Sequence, residues 1–94
     1  MNKHLKVAFD IDDTLIKQDD QGRTIPNHKV IDLFRGFQDI GCDMIIWSGG
    51  GQDYAEQWRD KLGLQATVLR KGSIQVDIAV DDQPAALGLV TIKI

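Results

Sequence analysis

Ninety-four residues, 43% of them apolar, suffice for one packed core and are too few for a second, and the mixed charge excludes a disordered chain. A net charge of −3 argues against a protein held mainly by nucleic-acid backbone contacts, which need a basic face. The single cysteine, Cys42, rules out a disulfide framework and a cysteine-built zinc site, and it fits a reducing compartment.

The amino-terminal MNKHLKVAFD lacks the apolar stretch of a signal peptide, and no run reaches membrane-spanning length. The expectation is a complete cytoplasmic protein with no membrane partner. LKVAFDI (5–11) reads as the first strand, and its end carries three carboxylates within four positions, Asp10, Asp12 and Asp13. IKQDDQGRTIP (16–26) breaks the pattern and predicts a small hairpin turning at DQG, after which Pro26 starts the approach to a helix. In NHKVIDLFRGFQDIG, Val30, Leu33, Phe34, Phe37 and Ile40 recur at helical spacing, with Asn27 as the cap and Gly41 as the left-handed stop. Gly36 inside that helix costs about 1 kcal/mol relative to alanine.

CDMIIWS (42–48) is the second strand of the core. QDYAEQWRDKLG then aligns Tyr54, Trp58 and Leu62 as core or interface residues and stops at Gly63. ATVLR (66–70) is the third core strand, 71–76 reads as loop, and DIAVD (77–81) is the fourth. QPAALG predicts a turn or so of helix before the fifth strand, LVTIKI (89–94). The second and fourth strands have continuous apolar cores, as strands covered on both faces do.

Strand–helix–strand alternation of this length predicts a three-layer, Rossmann-like parallel sheet of about five strands, with right-handed crossovers and helices on its faces. Ligands of such sheets bind at the carboxyl ends of the strands. There the chain sets Asp10, Asp12, Asp13 and Thr14, then Ser48 with Gly49, Gly50 and Gly51, then Arg70 and Lys71, then Asp81 and Asp82. Asp10 and Asp12, two apart on an extended stretch, start from one face. Like charges gathered at the end of an apolar run repel one another and need something to offset them. Oxygen ligands without His or Cys select Mg²⁺ over zinc, while the glycines opening the second helix suit an anion. Together these groups make a site for a phosphoryl group. Trp47, next to Ser48, is expected on the opposite face, packed under a helix.

DIDDTL resembles the DxDxT signature of the haloacid dehalogenase (HAD) superfamily. The apolar run ending in SGG is similar to that family's second motif, Lys71 stands where its third places a lysine, and IAVDDQP is similar to its acidic fourth. The resemblance spans about Val7 to Gln83 and implies a phosphatase that works through an aspartyl-phosphate. It implies Asp10 as nucleophile, Asp12 as general acid and base, and Thr14 as the residue that holds Asp12 and its loop. Ser48 and the Gly49 amide would bind phosphoryl oxygens, with Lys71 neutralising charge on Asp10 and the phosphoryl group. Mg²⁺ would be held by the Asp10 carboxylate, the Asp12 carbonyl and Asp82, with Asp81 as neighbour and alternative ligand. Residues 15–26 match the one-turn squiggle and flap hairpin of the family, and no insertion is long enough for a cap domain. A capless member has an open site, which accommodates a phosphorylated small molecule, a larger phosphorylated substrate, or a second copy of the chain in a homodimer. Sugar phosphates, nucleotides, a nucleic-acid 3′-phosphate and a phosphoprotein all stay open as substrates. Two alternatives stand beside the phosphatase: a phospho-accepting signalling module resembling a response-regulator receiver, and a non-catalytic Mg²⁺-binding protein.

Overall fold

Val7, Ala8 and Phe9 are wholly buried, because the strand they form, β1 (Lys6–Phe9), lies in the middle of the sheet with a neighbour on either side. The computed structural model describes residues 4–84 and 86–94. After β1 come a two-stranded hairpin, β2 (Ile16–Gln18) and β3 (Thr24–Pro26), then α1 (His28–Asp39), β4 (Asp43–Ile46) and α2 (Gln52–Leu62). The chain continues through β5 (Thr67–Val68), β6 (Val76–Asp81) and β7 (Gly88–Lys93). The sheet runs β5-β4-β1-β6-β7 with every pairing parallel, and Val7 sits opposite Met44 on one side and Ile78 on the other. This is a three-layer α/β fold with a five-stranded parallel sheet and a separate antiparallel hairpin.

Both helices lie on one face. Phe9, Ile46 and Val80 share a core cluster with Val30, Ile31 and Phe34 of α1 and Ala55 of α2, and the Phe9 ring meets Phe34 edge-on at 5.2 Å. The two crossovers from β1 to β4 and from β4 to β5 step in the same direction, so right-handedness puts both helices on the same side. The return from β5 to β6 crosses the other face as loop, not helix. That face is sealed by Leu69 and Leu87 over Ala8, Ile45, Trp47 and Ala79. Trp47 is therefore buried away from Ser48 as alternation requires, but under these connecting segments and not under a helix. No residue described between β6 and β7 is helical, which corrects the turn of helix expected in QPAALG, although Ala85 lies outside the described residues. Asp82 and Gln83 instead form a bend, in which the Gln83 amide donates to Asp81 Oδ1, and Pro84, with no amide hydrogen to give, follows.

The helix ends also separate pattern from chemistry. Asn27 stands at the N-cap of α1, yet its side chain makes no capping hydrogen bond. Gly41 (φ 90°) turns the chain after α1 and Gly63 (φ 66°) ends α2 in the left-handed region, where only glycine is free of a steric penalty. No helix among the described residues is long and apolar enough to cross a membrane.

Candidate active site

Extended structure stops at Phe9, one residue short of the first carboxylate. The Asp10 amide still bonds the Val80 carbonyl at 3.0 Å, which ties it to the end of β6. Beyond it the chain coils: the Leu15 amide donates to the Asp10 carbonyl at 3.4 Å, and the Thr14 and Ile16 amides both donate to the Ile11 carbonyl. Two of these bonds span five residues, as in a single π-type turn. Asp13 closes the coil at φ 57°, a left-handed value that aspartate tolerates better than most side chains. The coil overturns the expectation that Asp10 and Asp12 share a strand face, because alternation ends where the strand ends.

Asp10, only 5% exposed, turns its carboxylate to the ends of the neighbouring strands. Asp10, Asp81 and Asp82 each present an oxygen, and these oxygens lie within 4.8 Å of one another. Lys71 reaches in from the loop after β5, with Nζ 3.2 Å from Asp10 Oδ1 and 2.7 Å from Asp81 Oδ2. The Gln83 amide donates to Asp81 Oδ1 at 3.0 Å, and the Gln83 side-chain amide donates to Asp82 Oδ2. Asp81 is 1% exposed and Asp82 half-buried. Arg70, also at this edge, is exposed and forms no ion pair with the cluster.

Burial, reinforced by the Asp81 charge, pushes the Asp10 carboxyl up to about 6 against the opposing pull of Lys71. Burial also works against ionised Asp81, but the Lys71 ammonium and the Gln83 amide outweigh it and hold that carboxyl below its ordinary value. Burial and the hydrogen bond to Asp81 push Asp82 up. The site thus holds more negative charge than one lysine neutralises.

A hard cation fits this donor set. All three donors are carboxylate oxygens, and ions with oxygen contacts of about 2.0–2.6 Å place ligand atoms about 3–5 Å apart. The side chain of Asp12 does not join the cluster. Its carbonyl receives a long contact of 3.5 Å from Thr14 Oγ1, and its carboxylate receives the Tyr54 phenol, whose oxygen is 2.6 Å from Oδ1. That bond, with partial burial, pushes the Tyr54 phenol above its ordinary value and keeps it a donor.

The helical spacing that sets Tyr54 in one apolar stripe with Trp58 and Leu62 hides its place at the site. Its ring does pack on the core, but a tyrosine in a helix opening turn can bury its ring and still carry a polar tip outward. The only available signal was that position in the chain, two residues after the helix starts. Ser48 is buried, and its Oγ accepts the Gly50 amide at 3.0 Å. Gly49 is exposed beside it, and α2 starts from Gly51 with no side chain capping its first amides. A helix N-terminus left uncapped by side chains has amides free to meet an anion.

A cleft of about 290 Å³ opens between this coil and the hairpin, bounded by Asp12, Tyr54 and the hairpin residues Ile16, Lys17, Gln18 and Thr24. The turn of the hairpin is braced from within, because Asp19 accepts the Gln21 and Arg23 amides and pairs with the Arg23 guanidinium at 2.7 Å. Comparison with protein-family models, curated proteins and solved structures finds no match for this chain.

Proposed function

We propose that this chain is a Mg²⁺-dependent phosphomonoesterase of the haloacid dehalogenase type, working through an aspartyl-phosphate on Asp10. The observation that carries the reading is the gathering of Asp10, Asp81 and Asp82 around Lys71 at the carboxyl edge of a parallel sheet. Three carboxylates and one ammonium, partly buried, make an unbalanced site that a divalent cation completes and a phosphoryl group can enter. Asp10, Asp82 and Asp81 would hold the Mg²⁺ through carboxylate oxygens, joined by the Asp12 carbonyl. Bound there, the cation supplies positive charge against the phosphoryl oxygens and lets Asp10 ionise.

In the first half-reaction an Asp10 oxygen attacks phosphorus while the bond to the leaving oxygen breaks, and Asp12 gives that oxygen its proton. In the second, water attacks the same phosphorus and gives a proton to Asp12, and the bond to Asp10 breaks to restore the free carboxylate and inorganic phosphate. Ser48, the Gly49 amide and the opening turn of α2 receive the phosphoryl oxygens, while Lys71 balances charge on Asp10. Thr14 holds the coil that carries Asp12. The substrate is a phosphate monoester, and the open edge between coil and hairpin admits its leaving group.

A receiver-like module would need a phospho-accepting carboxylate after β5, where the chain has Leu69, Arg70 and Lys71. The deciding experiment is phosphate release from an aryl phosphate with MgCl2, for the wild type and for Asp10→Asn. Turnover in the wild type that Asp10→Asn reduces at least a thousandfold, with the fold intact, supports the reading. Undiminished turnover in the variant, or stable labelling of the wild type by acetyl phosphate without release, defeats it.

A further inference from the structure

We propose that Tyr54 is the positioning residue for the proton donor, its phenol setting the direction in which the Asp12 carboxylate addresses the cleft under the hairpin. The inference deepens the phosphatase reading and rests on it. Asp12 sits on a coil, outside the Asp10–Asp81–Asp82 cluster, and among the described residues its carboxylate has one hydrogen bond, the 2.6 Å bond from Tyr54. That bond is short for an O–H···O pair and fixes Oδ1 as the acceptor. With Oδ1 engaged as acceptor, Oδ2 is the oxygen left to carry a proton.

The phenol is itself held. A Cβ at Gly50 would stand 3.2 Å from Tyr54 Cδ2 and 3.5 Å from Cγ, so the ring lies close against the glycine turn after β4, nearer than it would ordinarily come to a residue with a side chain. The ring also packs on the core cluster shared by the two helices. Tyr54 therefore has one end fixed against the turn that precedes α2 and the other on the proton donor. Its position couples the phosphoryl-binding turn to Asp12. The leaving group departs into the cleft that Asp12 and Tyr54 bound together with Ile16, Lys17, Gln18 and Thr24. As the bond from phosphorus to the leaving oxygen breaks, the proton moves from Asp12 Oδ2 to that oxygen, and Tyr54 keeps its own.

A tether that only stabilised the fold would affect every substrate alike. A residue that aims a proton donor matters only where the leaving oxygen needs the proton. The test therefore compares kcat/KM, which reports the first half-reaction, on an alkyl phosphate and on p-nitrophenyl phosphate, whose leaving group departs as a stable anion. The variants are Tyr54→Phe, Asp12→Asn and the double substitution, at saturating MgCl2, with thermal melts alongside. Tyr54→Phe is expected to lower kcat/KM on the alkyl phosphate about 10- to 100-fold and on the aryl phosphate less than about threefold. The double variant is expected to match Asp12→Asn alone, since Tyr54 acts through Asp12. Equal losses on both substrates, no loss on either, or full additivity in the double variant overturn the positioning role while the phosphatase reading stands. A wild type inert on both substrates overturns the two together.

Discussion

The role proposed for Asp10, attack on phosphorus, requires an ionised carboxylate, yet Asp10 is held where ionisation is opposed by burial and by the charge of Asp81. Its pKa in the folded protein is about 6, against 3.8 for the free side chain. A raised carboxyl pKa favours the folded state at low pH, fully so below about 3.8, and that favour is lost as pH rises through about 6. Asp81 works in the opposite direction, with its carboxyl held down. Comparison of the wild type with Asp10→Asn reads the titration of Asp10 together with its coupling to Asp81 and Lys71, because the amide stays neutral throughout. In chelator, the stability of Asp10→Asn relative to the wild type should rise by about 2 kcal/mol between pH 4.5 and pH 8. Denaturant melts at the two pH values measure the gap. A gap that stays constant would mean that the fold does not resist ionised Asp10. The same residue shows how far a motif can be read in advance. That Asp10 meets Asp81, Asp82 and Lys71 was legible, because each follows a strand and parallel strands share an edge. That Asp12 turns away was not, because it depends on a coil whose bonds are invisible in residue types.

The helices show the same division at the level of elements. In α1 the stripe of apolar residues was legible, and Val30 and Phe34 are buried, but Ile40 is 75% exposed while Ile31, outside the stripe, is packed. The reason is the end of the helix: Ile40 is the C-cap, already leaving the helical path toward the turn at Gly41. Phe34 is the anchor of α1 on the sheet, wholly buried and edge-on to Phe9. Phe34→Ala should cost about 3–5 kcal/mol, since the cavity lies between a helix and a central strand and neither can close over it. A loss under about 1 kcal/mol in a denaturant melt would mean that α1 rests on other contacts. In α2 the period of Tyr54, Trp58 and Leu62 was legible as an inward face, and all three do pack on the core. What period cannot convey is that the first of them, at the amino end, lies level with the carboxyl ends of the strands. An apolar stripe there runs into the site, and its polar tip meets Asp12.

Across the whole molecule, the parallel sheet and its hairpin were legible from strand spacing, but the distribution of cover was not. Alternating strands and helices suggest helices on both faces, whereas the order β5-β4-β1-β6-β7 places both on one face and leaves the other to Leu69, Leu87 and their loops. The loop that crosses this face ends the β5 side of the sheet and delivers Lys71 to the β6 side. The acidic cluster consequently joins the two halves of the sheet, with Asp10 from the central strand, Asp81 and Asp82 from β6, and Lys71 arriving from β5. A cation bound there should stabilise the whole fold and not only order a local loop, since it binds residues that are brought together only by folding. At a hundredfold excess of MgCl2 over its dissociation constant the gain is about 2.7 kcal/mol. For a chain of this size that amounts to a rise in Tm of roughly 10–20 °C. Asp82→Asn, which removes the most exposed carboxylate of the three, should cut the rise by half or more while leaving the metal-free Tm within a few degrees. Chelation should return the wild type to its metal-free Tm and stop phosphate release with the fold retained. A Tm indifferent to MgCl2 in both proteins would mean that Lys71 alone satisfies the cluster, and the phosphoryl chemistry would then lack its cation.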